Sequence, residues 1–586
     1  MMRSFSAPGQ PIPRPRTGNP HEDRFYDLAG RYLEQMMGFN PYVATYLGYH
    51  RYDHLMDDIS AEGLAARLSF YEEARRSFAR VDRRPLGVGA SIDLDLITTD
   101  IESALFMLEE LKPHEREPQF YNELIGYGLL YLTILEPGSP LWPERLEALL
   151  SRMRALPAFL RDARSNLSEP SLVATRFIIE QNPGNISFIE KVLPTLFEPH
   201  PALKEEFGRA QGAAVAALRE YQRFLEEELT ARSTGSWRLG RDLWTRKLSL
   251  TLQSDLTPEE IDRRARERLR EERERMLELA LPMHARLFPA HHHAEAGDDL
   301  INAVVKEVIS EISRSQSSAE RLLDDVRGMV SSIKEFVRGK DVITLPPESD
   351  NFVLEPTPAF LDGMAVAFFN PAPAFEPQLK KSYWISSIPK DKAESYLREY
   401  NIYGLRNLTI HEAVPGHYVQ FYYALNSPIA SIYKKVFASG TFAEGWAVLC
   451  EEQMYDLGYG EGDEDGGAAG RLVHRKMSLR APINALLDAR LHTGAGTEEE
   501  DDRWALDLMQ RMGFQEEAEA AGKLRRAKVT STQLSTYFVG FIELADLMEE
   551  YRAQKGPSFN PKEFNERLLS YGTIPPRAVR RLMLGG

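Results

Sequence analysis

Apolar residues recur every three or four positions through long stretches of this chain, with charged residues between them. A helix of 3.6 residues per turn places such apolar residues on one face, so each stretch predicts an amphipathic helix. The clearest stretches are residues 25–37, 64–81, 94–111, 144–160, 210–230 and 300–336. The pattern therefore predicts a mainly α-helical protein.

The middle of the chain has a different pattern, with short runs of β-branched and aromatic residues bounded by prolines. Such runs are typical of strands. Four of them, residues 341–345, 352–355, 364–369 and 382–388, predict a small β-sheet. This sheet comes shortly before His411 in the chain.

The chain has 586 residues, of which 43% are hydrophobic, and no linker rich in proline, glycine or serine divides it. We therefore predict one large helical unit over residues 21–586, with a helical lobe over about 21–335 and a second lobe over 336–586 that holds the sheet. Residues 1–20 contain five prolines and no apolar run of the secretory type, which predicts a disordered leader.

The formal net charge is −16, and Cys450 is the single cysteine. Binding to a nucleic-acid backbone requires a concentrated basic surface, so nucleic acid is not an expected partner. No apolar run reaches the roughly 18 to 20 residues that span a membrane. A single cysteine cannot form an internal disulfide, which suits a reducing compartment. These features predict a cytoplasmic protein that binds no membrane. No long heptad pattern specifies its oligomeric state.

Three consecutive histidines, His291, His292 and His293, follow Pro289. Adjacent side chains cannot all converge on one ion without a folded frame, so the run predicts a solvated loop. Adventitious metal binding is the alternative.

The segment His411-Glu412-Ala413-Val414-Pro415-Gly416-His417 places two histidines beside a glutamate. A catalytic zinc site needs neutral imidazoles as ligands and a carboxylate that can take a proton from water. The histidines are six residues apart, which in an ideal helix would turn the second one away by roughly 120°. We therefore predict that the helix breaks at Pro415-Gly416 and that the break returns His417 to the metal.

Downstream, Glu444 stands inside the apolar run 440–450. An ionised carboxylate in such a setting is costly unless a cation compensates its charge, which makes Glu444 the candidate third zinc ligand. Glu451 lies two helical turns further on the same face, where it could orient a ligating histidine through its second ring nitrogen.

Together, H-E-A-x-P-G-H and E-G-W-A resemble the bacterial domain-of-unknown-function 885 family, which is grouped with gluzincin metallopeptidases. The resemblance extends from the segment beginning at Asn40 to the region of Tyr537. It implies a large two-lobed, helical, metallopeptidase-like fold with a small sheet next to the metal-binding helix. In such folds an edge strand pairs with the substrate backbone, and residues 364–369 are the candidate; an ordinary buried strand is the alternative.

A third signature of the family typically reads P-G-Q-A-x-S-Y-x-x-G, and residues 531–540 keep Gln533, Tyr537 and Gly540 of it. Ser531 and Thr532 replace the Pro-Gly pair, so this departure affects the local turn more than the chemistry. The hydroxyl of Tyr537 could stabilise the oxyanion of peptide hydrolysis, with Gln533 in support.

His492 is a second candidate for this role, in the segment D-A-R-L-H-T, which resembles the family's D-x-G-x-H-T with Arg490 in place of glycine. For both His492 and Tyr537, a hydrogen-bonded place in the core is the alternative. Arg406 or Arg490 could bind the terminal carboxylate of a peptide, and ion pairs within the protein are their alternative use.

These residues lead to the hypothesis of a zinc-dependent metallopeptidase that hydrolyses peptide bonds of short peptides. One zinc ion is held by His411, His417 and Glu444, and Glu412 is the general base on a zinc-bound water. A zinc amidase or esterase acting on another small substrate is one alternative. A non-catalytic zinc-containing peptide-binding protein is the other, although Glu412 has no purpose in a closed structural site.

Overall fold

The structure is a computed structural model that describes residues 12–136, 138–358, 366–388, 393–494 and 496–585. Over these residues the protein is mainly helical, with one three-stranded sheet. The predicted helical class and the predicted small sheet are therefore confirmed. Of the predicted leader, residues 12–19 are described, and the side chain of Ile12 is buried against the first helices.

Fifteen helices precede the sheet within the described residues. They are α1 (Pro20–Phe39), α2 (Pro41–Tyr46), α3 (Ala61–Phe78), α4 (Val88–Phe106), α5 (Pro113–Arg116), α6 (Pro118–Leu130), α7 (Trp142–Asn166), α8 (Leu172–Ser187), α9 (Leu193–Phe197), α10 (Lys204–Arg223), α11 (Thr230–Arg232), α12 (Arg241–Leu252), α13 (Pro258–Leu287), α14 (Gly297–Ile312) and α15 (Leu322–Lys340). Single π-helical turns extend α4, α8 and α10 at their carboxyl ends.

Residues 300–336, predicted as one helix, form two helices, because α14 ends at Ile312 and α15 begins at Leu322. The intervening residues include four serines, whose hydroxyls compete with the helical backbone for hydrogen bonds. One of them, Ser317, donates to the Asp325 carboxylate of α15 at 2.7 Å. The prediction of a continuous helix is therefore wrong at this point.

The sheet consists of β1 (Phe352–Pro356), β2 (Ala367–Asn370) and β3 (Lys381–Ile385), in the order β1-β3-β2. Strand β1 is parallel to β3, and β2 is antiparallel to it. Within the described residues β2 is thus an edge strand. Residues 359–365, which include the start of the predicted strand 364–369, lie outside the described residues.

The predicted strand 341–345 is wrong, because this segment forms no strand in the structure. Val342 and Ile343 are buried, which explains the apolar pattern. The backbone there is held by a side chain instead, since the amide of Asn565 donates to the Val342 carbonyl at 3.2 Å.

Twelve helices follow the sheet within the described residues. They are α16 (Ala393–Glu399), α17 (Ile402–Glu412), α18 (His417–Asn426), α19 (Ile432–Val436), α20 (Gly440–Asp456), α21 (Ala468–Ser478), α22 (Arg480–Thr493), α23 (Glu498–Asp507), α24 (Glu517–Val529), α25 (Ser535–Lys555), α26 (Pro561–Ser570) and α27 (Pro576–Leu584). None of the helices described here is both long and apolar enough to cross a membrane.

The buried apolar side chains form three clusters. The largest joins α12 to α15 with the sheet and with the helices that follow it. A second holds α6 to α10, and a third holds α1 to α4. Helices α12 to α15, which the sequence assigned to the first lobe, therefore share their core with the second lobe.

Candidate metal centre

The two histidines of the H-E-A-V-P-G-H segment lie on different helices, since α17 ends at Glu412 and α18 begins at His417. A Cβ atom on Gly416 would lie 1.9 Å from the carbonyl oxygen of His411, so only glycine allows this close turn. The imidazole rings of His411 and His417 come to lie 4.8 Å apart between centroids. The predicted helix break is confirmed.

Glu444, on α20, faces both of these rings. Its Oε2 atom lies 3.4 Å from Nε2 of His411 and 3.7 Å from Nε2 of His417. This oxygen is buried and has no hydrogen-bond partner in the part of the chain that the structure describes. An unpartnered buried carboxylate oxygen is costly, and a cation would compensate it. Two imidazoles and one carboxylate fit the ligand set of catalytic zinc.

Helices α20 and α25 approach each other very closely beside this cluster. A Cβ atom on Gly445 would lie 2.2 Å from the carbonyl carbon of Gly540, and one on Gly540 would lie 1.9 Å from the carbonyl oxygen of Thr441. The two glycines therefore let the backbones pack with no side chain between them. This contact brings Tyr537, one turn before Gly540, to the cluster, with its ring 6.4 Å from that of His411.

Glu451 contacts the ring nitrogen of His411 that faces away from Glu444. Nδ1 of His411 lies 2.6 Å from Oε1 of Glu451, whose Oε2 accepts a hydrogen bond from the Asn407 amide at 2.6 Å. Donation from Nδ1 leaves the lone pair of Nε2 directed at the cluster. The sequence analysis missed Asn407, although it lies one turn before His411 on the same helix.

Replacing Glu451 with alanine should weaken zinc binding by about 10- to 100-fold, because His411 loses the partner that fixes its ring. Glu451→Gln keeps a hydrogen-bond acceptor and should recover part of this loss. Competition with a chromophoric chelator measures both dissociation constants. Unchanged zinc affinity in Glu451→Ala would show that the contact does not orient the ligand.

Glu412, the last residue of α17, is held by the sheet. Its Oε2 accepts a hydrogen bond from the backbone N–H of Phe369 at 2.9 Å. The N–H of Ser386 donates to the carbonyl of Val366 at 2.9 Å, so alternation along β2 turns the backbone groups of Ala367 and Phe369 away from β3. The open edge of β2 therefore faces the Glu412 carboxylate.

The charges of the cluster shift its pKa values strongly. Burial by itself would lower the pKa of His411, but the Glu444 and Glu451 carboxylates outweigh burial and raise it well above its usual value. Burial would raise the pKa of Glu444, yet the two imidazoles lower it. Burial raises the pKa of Glu412, and the same imidazoles oppose that rise. Glu444 is thus placed to face positive charge, which a bound metal ion would supply.

Arg526, on α24, is a site residue that the sequence analysis missed. Its guanidinium donates to Oε1 of Gln533 at 3.0 Å. The neighbouring Tyr537 hydroxyl is the main cause of the raised pKa of Arg526, and the Glu444 carboxylate contributes to it. Among the described residues no carboxylate forms an ion pair with Arg526. The consecutive basic residues Arg525 and Arg526, shortly before the third signature, were the only available sequence signal.

The two arginines considered earlier as carboxylate ligands have partners inside the protein. Arg406 forms an ion pair with Asp463 at 2.6 Å, and Arg490 forms one with Asp501 at 2.9 Å. Their alternative use, the internal ion pair, is the one that the structure shows.

His492 is buried at the end of α22, where its ring packs against Trp237 and one ring nitrogen contacts the end of α24. Its Nε2 atom lies 2.9 Å from the carbonyl oxygen of Ala527 and 2.8 Å from that of Thr530. On the same helix, Asp488 accepts the backbone N–H of Thr532 at 2.8 Å. The segment thus holds the connection between Arg526 and Tyr537 in place, which is a positioning role; the predicted catalytic role stays a prediction.

Thr532 replaces the glycine of the third signature, and the structure shows why glycine suits this position. Thr532 has φ of +65°, in the left-handed region that favours glycine. Such a backbone costs a β-branched residue roughly 1–3 kcal/mol. Two contacts hold Thr532 in this conformation: the hydrogen bond from its backbone N–H to Asp488, and a contact of 2.9 Å between its hydroxyl and that of Thr251. The turn is therefore kept although its usual residues are missing.

The fold and the site together define a class: mainly helical proteins in which a broken H-E-x-x-P-G-H helix and a glutamate from a second helix converge. The chain belongs to the family described as bacterial protein of unknown function (DUF885), whose sequence model matches residues 41–583. The predicted family membership is confirmed. No curated protein matches the chain.

Two solved structures have the same fold. One is a candidate lipoprotein of unknown function from Shewanella oneidensis, with 28% identity and a TM-score of 0.76, covering 96% of this chain and 99% of that one. The other, a candidate lipoprotein from Colwellia psychrerythraea, has 15% identity and a TM-score of 0.76 over 96% of this chain and 99% of that one. The second likeness concerns the fold alone.

Proposed function

We propose that this protein is a zinc-dependent metallopeptidase that hydrolyses short peptides. The observation that carries the proposal is the buried, unpartnered Oε2 of Glu444, 3.4 and 3.7 Å from the Nε2 atoms of His411 and His417. These three residues would hold the ion. A second carboxylate, Glu412, lies beside them and is not needed as a ligand, which favours a catalytic over a purely structural site.

Bound zinc would polarise the scissile carbonyl and acidify the attacking water. Glu412 takes the proton of that water and passes a proton to the leaving amine. The N–H of Phe369 holds one carboxylate oxygen at 2.9 Å, so the other is the one that takes the proton. The Tyr537 hydroxyl donates a hydrogen bond to the carbonyl oxygen as that oxygen gains negative charge.

The open edge of β2 is the proposed binding surface for the peptide backbone. An extended substrate can pair with the outward backbone groups of Ala367 by strand addition, which is tolerant of side-chain sequence. The N–H of Phe369 keeps its hydrogen bond to Glu412 and so orients the base. The edge lies directly against the Glu412 carboxylate, so a peptide bound there passes the cluster.

Arg526 gives the site a cation without a carboxylate partner among the described residues, next to Tyr537. A guanidinium binds a carboxylate through two parallel hydrogen bonds. We therefore propose that Arg526 binds the free carboxyl terminus of a short peptide, which would make the enzyme a carboxypeptidase.

The test is cleavage of a peptide mixture, each sequence prepared with a free and with an amidated carboxyl terminus, followed by mass spectrometry. The wild-type protein should cleave the free peptides, lose activity on chelation and regain it with zinc. Arg526→Ala should raise KM for the free peptides about 10- to 100-fold, because a charge-assisted contact of about 1.5–3 kcal/mol is lost. KM for the amidated peptides should stay unchanged. The exposed neighbour Arg525→Ala is the matched control.

Other outcomes identify the alternatives. Chelation that unfolds the protein would assign the metal to structure and support a peptide-binding protein without catalysis. Turnover of small amides or esters with every peptide left intact would replace the peptidase by a zinc amidase or esterase. Equal KM changes for free and amidated peptides would remove Arg526 from carboxylate binding and leave the hydrolase proposal standing.

The cytoplasmic location stays a prediction. The 28% identical structure from Shewanella oneidensis is described as a candidate lipoprotein, and a lipid-anchored protein is the alternative location that it supports. Fractionation of the native cells distinguishes the two locations.

A further inference from the structure

A second group of metal-ligating side chains lies far along the chain from the proposed zinc centre, where α13 ends and α14 begins. It consists of His284 on the last turn of α13, His291 and His293 in the following loop, and Glu307 on α14. Within the described residues, one potential ligand atom from each of the four lies within 4.8 Å of all the others. The three consecutive histidines do lie in a loop, as predicted, but two of them turn toward one point.

The distances between the ligand atoms suit one small ion. Oε2 of Glu307 lies 2.8 Å from Nε2 of His284, 3.4 Å from Nε2 of His293 and 3.6 Å from Nδ1 of His291. The two histidine Nε2 atoms are 3.2 Å apart. A tetrahedral ion with bonds of about 2.0–2.1 Å separates its ligand atoms by about 3.3 Å, which these distances bracket.

The protons available cannot satisfy all of these atoms at once. If Nε2 of His284 donates its hydrogen to Glu307, this nitrogen has no lone pair left for His293. A hydrogen on Nε2 of His293 would then face the hydrogen of His284, and a lone pair there would receive no hydrogen. In both cases the contact between the two histidines is not a hydrogen bond. If both imidazoles are charged, two cations face each other at 3.2 Å. A metal ion removes the conflict, because it accepts every lone pair directed at the same point.

We propose that His284, His291, His293 and Glu307 form a second metal site, which binds one divalent first-row transition ion such as zinc. Three imidazole ligands suit zinc, copper and nickel, whereas calcium and magnesium prefer oxygen ligands throughout. Four protein ligands close the coordination sphere, so the site is structural and not catalytic.

The burial of the four side chains indicates how an ion would enter and what it would do. The side chains of His284 and His293 are 7% and 8% exposed, those of Glu307 and His291 32% and 51%. An ion would reach the buried pair from the solvent side, and His291 would close over it. Because the ligands come from two helices and the loop between them, the bound ion would fasten the loop 288–296 to the α13–α14 pair.

The experiment counts zinc bound to the untagged full-length chain by equilibrium dialysis and elemental mass spectrometry. The wild-type protein should bind about two zinc ions, and the exchange Glu444→Ala, which removes a ligand of the first centre, should leave about one. His291→Ala combined with His293→Ala should also leave about one, and these changes with Glu444→Ala should leave none. His292→Ala, a change in the same loop outside the cluster, should keep two.

A double histidine variant that still binds two ions, or a Glu444→Ala variant that binds none, would overturn the second site. Glu307→Gln, which keeps the size of the side chain, provides a check for variants that fold poorly: circular dichroism should be unchanged while about one ion is lost. X-ray absorption of zinc in Glu444→Ala should show three imidazoles, and a spectrum with fewer would contradict the proposal. None of these readouts depends on peptidase activity.

Discussion

Replacing Glu412 with glutamine should reduce kcat for peptide hydrolysis by about 10²- to 10⁴-fold and leave zinc binding unchanged. The amide keeps the size of the side chain but cannot accept the proton of the attacking water. Glu412 is not among the residues that converge as ligands, and its Oε2 is held by the backbone of Phe369 at 2.9 Å, so neither the fold nor the metal should be lost. Steady-state kinetics and elemental analysis on the same preparation measure both quantities.

The exposed Glu464 offers a matched control in the same half of the chain. Glu464→Gln should retain the wild-type kcat. A Glu412→Gln variant with wild-type turnover would exclude Glu412 as the general base. Loss of zinc together with turnover would instead make Glu412 a ligand.

Replacing Glu444 with alanine should lower the zinc content by one ion per chain and abolish hydrolysis. Removing a ligand should weaken binding by more than the roughly 100-fold that loss of an outer-shell partner causes. The change also leaves His411 and His417 facing each other without the carboxylate that now lies 3.4 and 3.7 Å from their Nε2 atoms. The dissociation constant from chelator competition is the readout.

Glu444→Gln tests whether charge or shape matters, since an amide oxygen can occupy the same place without compensating the ion. It should bind zinc more weakly than the wild-type protein and more strongly than Glu444→Ala. If Glu444→Ala keeps its full zinc content, another carboxylate must be the ligand. Glu451 would then be the first candidate, because it already contacts His411 from the other side of the ring at 2.6 Å.

The sequence predicted the centre of the site well because its chemistry is local. His411, Glu412 and His417 are close in the chain, and Pro415-Gly416 indicated that the helix must break between them. Glu444 stood out since a carboxylate in an apolar helix needs a partner. The helical class and three strands were predictable for the same reason, because periodicity reports which face of an element is buried.

Other parts of the site depend on contacts between distant segments, which periodicity does not report. Arg526 reaches the site because α24 and α25 are connected by a turn that Asp488 and His492 hold from another helix. The second cluster depends on Glu307 of α14 packing against the end of α13 and against the loop between these two helices. The buried segment 341–345 looked like a strand because apolar residues in irregular backbone give the same short pattern.

The most direct measurement is anomalous diffraction at the zinc absorption edge, from crystals of the natively purified protein. The proposed function predicts a strong peak within bonding distance of the Nε2 atoms of His411 and His417 and of the Glu444 carboxylate. A crystal grown in the presence of zinc that shows no anomalous peak among these three side chains would contradict the proposal of a zinc peptidase directly.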